Sequence, residues 1–409
     1  MNILIINHYA GNPKLGMEFR PYYLAKEWVN LGHKVFIIGA SNSHLRNSQP
    51  GVVKELSKDE FEGITYYWIK TPSYSGNIKR ILNILIFVLK LIYFRKKISK
   101  LFSPNLVIAS STYPLDIYPS FMIAKISKAK LCFEVHDLWP LSPMIIGGYS
   151  KYHPYIMLLQ MAENFAYKKS NVVVSLLGNA KKHMVNHGLE PSKFIHIPNG
   201  YDKIELESIQ EEVPFEHFAI INELKNNGKF LVGYTGGHAP SNAMHVLINA
   251  AQLLINNSDI YFILVGNGSS KVDLQKQAKS LNNVIFLPPI PKRTIPKLLA
   301  KLDVLYIGGV KTELHKHGIS PNKLIDYMLA AKPIILSADV ENEIVEKCNC
   351  GITIPAEDHL QVSNAILIIY NMLDNDRVSM GERGKNFIFN NYDYKNLASL
   401  FINKIENEL

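Results

Sequence analysis

The strongest constraint on this chain is an alternation of short apolar segments with helical patterns, and it runs twice. Residues 2–8 form an apolar run that ends in a loop holding Gly11 and Gly16. A helical pattern follows, EFRPYYLAKEWVNLG, closed by Gly32, and KVFIIGAS is the next strand. Strand, glycine-containing loop, helix and strand make the βαβ opening of a doubly wound sheet. ITYYWIK, NLVIASS, KLCFEVHD, NVVVSLL and FIHIP recur after it, with helical stretches around 115–127, 152–169 and 178–187. Beyond Asn199-Gly200, residues 203–228 are rich in glutamate and read as a linker and leading helix. A second series then runs through KFLVGYTGG, IYFILVGNG, NVIFLPP, VLYIGG and KPIILS, with a helix expected at 321–331. The fold class is therefore α/β, with two doubly wound, Rossmann-like domains over 1–202 and 203–390. A last helix at about 391–409 is expected to return to the first domain. In this architecture ligands bind beyond the carboxyl ends of the strands, here in a cleft between facing domains.

Composition narrows the function. At 409 residues, 47% hydrophobic and 19% charged, the chain is long enough for two packed cores and too apolar for disorder. No GxGxxG fingerprint follows the first strand, since Gly11 and Gly16 lie five apart, which disfavours a nicotinamide oxidoreductase. Cys132, Cys348 and Cys350 have neither disulfide nor metal-site spacing, which fits a reducing, cytoplasmic compartment. The N-terminus lacks a signal-peptide pattern. The net charge of +9 is local: between Glu62 and Asp116 there is no acid, while Lys70, Lys79, Arg80, Lys90, Arg95, Lys96, Lys97 and Lys100 all fall there. One cationic surface is implied, and no nucleic-acid partner. Within it, residues 78–101 read as a basic helix with an apolar middle of about a dozen residues, too short to span a bilayer. That pattern fits a helix packed on the sheet and equally one resting on anionic lipid. In the second case the protein is peripheral on the inner face of the plasma membrane.

The stretch LHKHGISPNKLIDYMLAAKPIIL, from Leu314 to Leu336, carries the clearest chemistry. Ser320 suits an N-cap and Pro321 the first helical position, leaving the amides of Asn322 and its turn, with the helix dipole, to favour an anion. Lys323 adds a charge. Asp326, three residues on, shares its face and is suited to accept from sugar hydroxyls. Asp374 and Asp376 have the spacing of a metal-binding pair, but they are expected in a solvated turn, and no metal is called for.

RPYYLAKEWVNLGHKV, EVHDLWP, FIHIPNGYD, VGYTGG, ILVGNG, NVIFLPPIPK, LDVLYI and SPNKLIDYMLAAKPII occur in order across both domains. In these the chain resembles retaining GT-B glycosyltransferases of family four (group 1 type), most similar to bacterial O-antigen and capsule enzymes such as L-fucosamine transferases. The resemblance implies transfer from a nucleotide-diphosphate sugar, UDP favoured, to a polyprenyl-diphosphate-linked oligosaccharide in surface polysaccharide and lipopolysaccharide synthesis. It implies no metal or other cofactor. Gly16 then matches a first-loop glycine against the diphosphate, and Gly236 and Gly237 offer amides to phosphate. Pro289 and Ile290 fall near the base. His136 supports the reaction centre, and Asp326 takes the ribose-binding place of a paired acidic motif. Gly318 stands where the first acid of that pair would be, which hints at a deoxy or amino sugar. The arginine and lysine that many relatives carry after the VGYTGG loop are absent, so Lys323 bears more weight. A nonhydrolysing sugar-nucleotide epimerase shares the fold and is the alternative.

Overall fold

Valine- and isoleucine-rich runs become parallel strands covered on both faces, as crossover helices require. The computed structural model describes residues 1–16, 19–52, 54–208, 211–341 and 344–407. They divide into two units, one of residues 1–199 with the helix Tyr394–Asn407, the other Gly200–Asp393.

The first unit holds β1 (Asn2–Ile6), β2 (Lys34–Ala40), β3 (Ser57–Phe61), β4 (Ile64–Ile69), β5 (Leu106–Ala109), β6 (Lys130–Val135), β7 (Val172–Ser175) and β8 (Phe194–His196). Their order is β3-β4-β2-β1-β5-β6-β7-β8, parallel except for the β3–β4 edge pair. β1 is central, with Ile3 opposite Val35 on one side and Leu106 on the other. One face packs Ile84, Phe87 and Leu91 of the helix Asn77–Phe102 with Ile123 and Leu159 from neighbouring helices. The other packs the helix Phe19–Asn30 and the final helix, where Tyr23 stacks on Tyr394 at 4.9 Å and Trp28 Nε1 donates to the Ala398 carbonyl.

The second unit holds β9 (Phe230–Thr235), β10 (Ile260–Val265), β11 (Val284–Leu287), β12 (Val304–Gly308), β13 (Ile334–Ser337) and β14 (Gly351–Ile354). Its order, β11-β10-β9-β12-β13-β14, is parallel throughout and again buried on both faces. Two strands escaped the sequence reading. β3 is a polar edge strand, SKDEF, and β14 is four residues opening on glycine, so neither shows the apolar run of an interior strand.

The basic helix spans Asn77–Phe102 and buries one side, including Ile84, Phe87, Val88, Leu91 and Ile98. Its opposite side leaves Ile78, Leu89 and Tyr93 at 84%, 63% and 77% exposure. The helix is therefore packed on the sheet along one side and leaves an apolar strip exposed on the other. Among the described residues no helix is long and apolar enough to cross a membrane.

Candidate functional site

In the second unit the helix expected at 321–331 runs from Asn322 to Leu329. Ser320 is not its cap. Pro321 occupies that position with ψ 131°, and its carbonyl accepts the first bond, from Leu324 N at 3.0 Å. An extended proline that has no N–H to donate but a carbonyl to offer meets the backbone requirement of a cap without a side-chain bond. Asn322 thus becomes the first helical residue. The helix is anchored by Tyr327, whose buried hydroxyl accepts from Thr235 N at 2.7 Å at the end of β9.

That anchoring aims Lys323 at the loop after β9. Its Nζ donates to Tyr234 Oη at 2.8 Å and sits 4.0 Å from the Tyr234 ring centroid. Tyr234 Oη in turn donates to the Gly237 carbonyl at 2.6 Å, and Asn242 Nδ2 reaches the same carbonyl at 2.9 Å. A Cβ on Gly236 would stand 2.9 Å from Lys323 Cε, and one on Gly266 only 1.9 Å from the Gly236 carbonyl oxygen. The loops after β9 and β10 therefore meet backbone to backbone, both glycines at positive φ. Gly236 N donates to the Val265 carbonyl at 3.0 Å, so the expected pair of phosphate-facing amides reduces to that of Gly237. Beside them lies a cavity of about 260 Å³, walled by Gly236, Gly237, Gly266, Asn267, Pro289 and Ile290. His217 pins its far loop by bonding the Pro288 carbonyl at 2.9 Å.

The electrostatics favour an anion. Burial pushes the Lys323 ammonium down to about 8, against a partial upward pull from Asp326 one turn on. Lys323 makes no ion pair among the described residues. Lys271, which the sequence reading missed, donates to the Gly266 carbonyl at 2.7 Å on the same loop. Also missed was His238, directly after the two glycines. It is buried with neither ring nitrogen bonded, and burial, then the charges of Lys271 and Lys323, push it down to about 4. Their only sequence signals were a lysine after LVGNG and a histidine after TGG.

The other candidates divide. Gly318 ends the 3-10 turn Glu313–His317 at φ 98°. A carboxylate-bearing residue would be strained there. Asp374 and Asp376 lie in the first turn of a helix, Asp374–Asn391, rather than in an open turn; Asp374 pairs with Arg377. In the first unit, Gly16 has φ 75° and its Cβ would meet Asn47 Nδ2 at 2.4 Å, so the fold itself demands glycine there.

His136, just past β6, belongs to a polar network at the carboxyl edge of the first sheet. Its Nε2 is 2.9 Å from Ser110 Oγ and 3.3 Å from Glu134 Oε2. Arg20 Nε donates to Glu134 Oε1 at 2.8 Å, both side chains nearly inaccessible. Burial alone would push the Glu134 carboxyl up; Arg20, His136 and Ser110 overcome it and hold the group well below the usual carboxylate range. Asp137 accepts from Leu138 N and Ser142 Oγ, which fixes the loop. Sequence reasoning found His136 but not Arg20, Glu134 or Ser110.

Family comparison fits both units. Residues 16–203 match the model described as Glycosyltransferase Family 4, and 229–372 match Glycosyl transferases group 1. The chain carries the two domains of a group 1, family 4 glycosyltransferase. Solved structures place this glycosyltransferase in the GT-B fold. It is similar to Anabaena HepE in complex with UDP and glucose, at 16% identity and TM-score 0.66 over 99% of each chain. It is also similar to sucrose-phosphate synthase from Thermosynechococcus elongatus, at 14% identity and TM-score 0.74 over 100% of this chain and 99% of that one. An α,α-trehalose-phosphate synthase (UDP-forming) from Burkholderia vietnamiensis matches at 10% identity and TM-score 0.73, over 100% and 97%. No curated protein sequence matches this one.

Proposed function

We propose that this glycosyltransferase moves a sugar from a nucleoside diphosphate sugar, with UDP the favoured carrier, to a lipid-linked glycan, with retention at the anomeric carbon. The observation that carries the reading is the Lys323 ammonium beside the paired glycine loops, with Lys271 as a second cation bonded to the Gly266 carbonyl. A diphosphate on the Gly237 amide would meet both charges, while Asp326 holds the ribose and Pro289 and Ile290 flank the base. The UDP complex of HepE supports this choice of carrier.

In the transfer, the bond from the anomeric carbon to the diphosphate oxygen breaks and one to the acceptor oxygen forms. The acceptor proton passes to the departing diphosphate. Negative charge therefore grows on the leaving group, and Lys323 stabilises the transition state more than the bound donor. Held by Glu134 and Ser110, His136 would support the reaction centre. Lys323, Lys271 and the start of the helix Asn322–Leu329 are the groups offered to the diphosphate, and the reading includes no metal.

The lipid-linked acceptor is supported by the helix-covered face of the first unit. From Gly63 to Ala129 the sole acid is Asp116, which is buried, and Glu163 of the helix Pro154–Lys169 is buried as well. Ile78, Leu89 and Tyr93 stand exposed there, as do Ile126 and Met161 of the neighbouring helices, among lysines and arginines. An apolar surface ringed by cations suits an anionic bilayer. A membrane-bound acceptor of O-antigen or capsule type, perhydroxylated at one end and lipidic at the other, would be met on such a face.

The test is incubation of the purified protein with UDP-sugars, with and without polyprenyl-diphosphate oligosaccharides or soluble sugar phosphates, followed by nuclear magnetic resonance. UDP release that needs the lipid-linked acceptor and yields a retained linkage is expected. Donor epimerised without acceptor would mean an epimerase, and transfer to sugar phosphates alone would refute the lipid-linked acceptor.

A further inference from the structure

Away from the donor pocket, the first unit gathers two histidines and a glutamate that the transfer reaction does not use. We propose that Glu163, His183 and His187 bind a first-row divalent cation, with zinc as the reference ion. His183 and His187 are four residues apart, within and just past the helix Lys181–Asn186, so their rings leave one face. The ring centroids are 4.2 Å apart. Glu163 comes from the adjoining helix Pro154–Lys169 and places Oε1 3.1 Å from His183 Nε2. One ligand atom from each of the three lies within 4.8 Å of the other two. Ligands about 2.0–2.2 Å from a tetrahedral zinc stand about 3.4 Å apart, a spacing that a small rotation of the half-buried His187 ring reaches.

The surrounding hydrogen bonds prepare these atoms for a metal. His187 Nδ1 lies 2.8 Å from the His183 carbonyl, which can only accept, so the proton sits on Nδ1 and the Nε2 lone pair is left for a cation. Tyr167 donates to Glu163 Oε1 at 2.9 Å, and Gln160 Nε2 donates to Oε2 at 2.7 Å. Such outer contacts orient a carboxylate without saturating its lone pairs. Two imidazoles and one carboxylate, with a fourth position open to water, form a ligand set for zinc and neighbouring divalent metals. Among the described residues no second group of histidine, cysteine and acidic side chains meets this spacing. A bound ion would tie the 181–186 helix to the 154–169 helix.

The experiment uses the full chain, stripped with EDTA and dialysed. Zinc sulfate is titrated in by calorimetry, melting is followed with and without zinc, and cobalt(II) is added to read nitrogen–oxygen coordination from its visible absorption. One zinc per chain and a raised melting temperature are expected. His187→Ala should weaken binding at least about tenfold. Without zinc it should melt like the parent, because the Glu163–His183 contact is untouched. His183→Gln, which keeps a side chain able to bond Glu163, should weaken zinc binding likewise. No stoichiometric uptake, or unchanged affinity in either variant, overturns the proposal.

Discussion

Lys323 offers the sharpest test, because the structure gives it both a depressed pKa and an anion to wait for. Unliganded, it titrates at about 8, against 10.5 in the unfolded chain, chiefly because burial disfavours its charge. A diphosphate reverses that, since an adjacent dianion holds the ammonium protonated. At pH 7 about nine-tenths of the unliganded protein is charged at this site, and at pH 9 about one-tenth. UDP affinity should therefore fall about tenfold between pH 7 and pH 9, or about 1.4 kcal/mol. Unfolding cannot mimic this trend. Above pH 8 the folded protein has shed the proton that the unfolded chain keeps until about 10.5, so Lys323 contributes rising stability across that window. Calorimetric titration of UDP over this range checks the slope. Lys323→Met should bind about 10–100-fold more weakly at pH 7, the loss of a charge-assisted bond, with a flat profile. A flat profile in the parent protein, or a Lys323→Met variant with the same affinity and slope, would refute the reasoning.

Other expectations follow from the same geometry. Asp326→Asn should weaken UDP binding about tenfold, from loss of hydrogen bonds to a charged acceptor, as read by calorimetry. His136→Ala should cut turnover at least about tenfold with little change in melting temperature. Glu134→Gln should instead destabilise by about 3 kcal/mol in denaturant titration, because Arg20 stays buried without its partner. Gly266→Ala should cost more than about 2 kcal/mol, since its Cβ would overlap the Gly236 carbonyl. In flotation with anionic liposomes the protein should rise at low salt, and Leu89→Glu with Tyr93→Glu should abolish it without altering the melt; an unbound parent protein would rule the surface out.

Much of this protein was legible from local pattern. Interior strands carry apolar runs, helices carry a 3.6-residue period, and both signals survive without knowledge of the partner surface. The two sheets, their parallel character and the Lys323 helix followed from them. β3 and β14 did not, because one is polar and the other only four residues opening on glycine, whereas the edge strands β8 and β11 keep a readable apolar run. The Ser320 cap failed for a related reason: serine has the propensity, but Pro321 carries the extended geometry and the accepting carbonyl.

The amino-acid sequence by itself determined the doubly wound class, the glycine loop at Gly236 and Gly237, and a lysine one helical turn from Asp326. Tertiary structure decided which groups meet. Lys271 opens the helix that follows the loop after β10, Arg20 lies 114 residues before Glu134, and Glu163 lies 20 before His183. Such pairings depend on strand order and helix docking, where residues distant in sequence become hydrogen-bonding neighbours. The same packing buries Lys323 and lowers its pKa, a property no window of sequence contains.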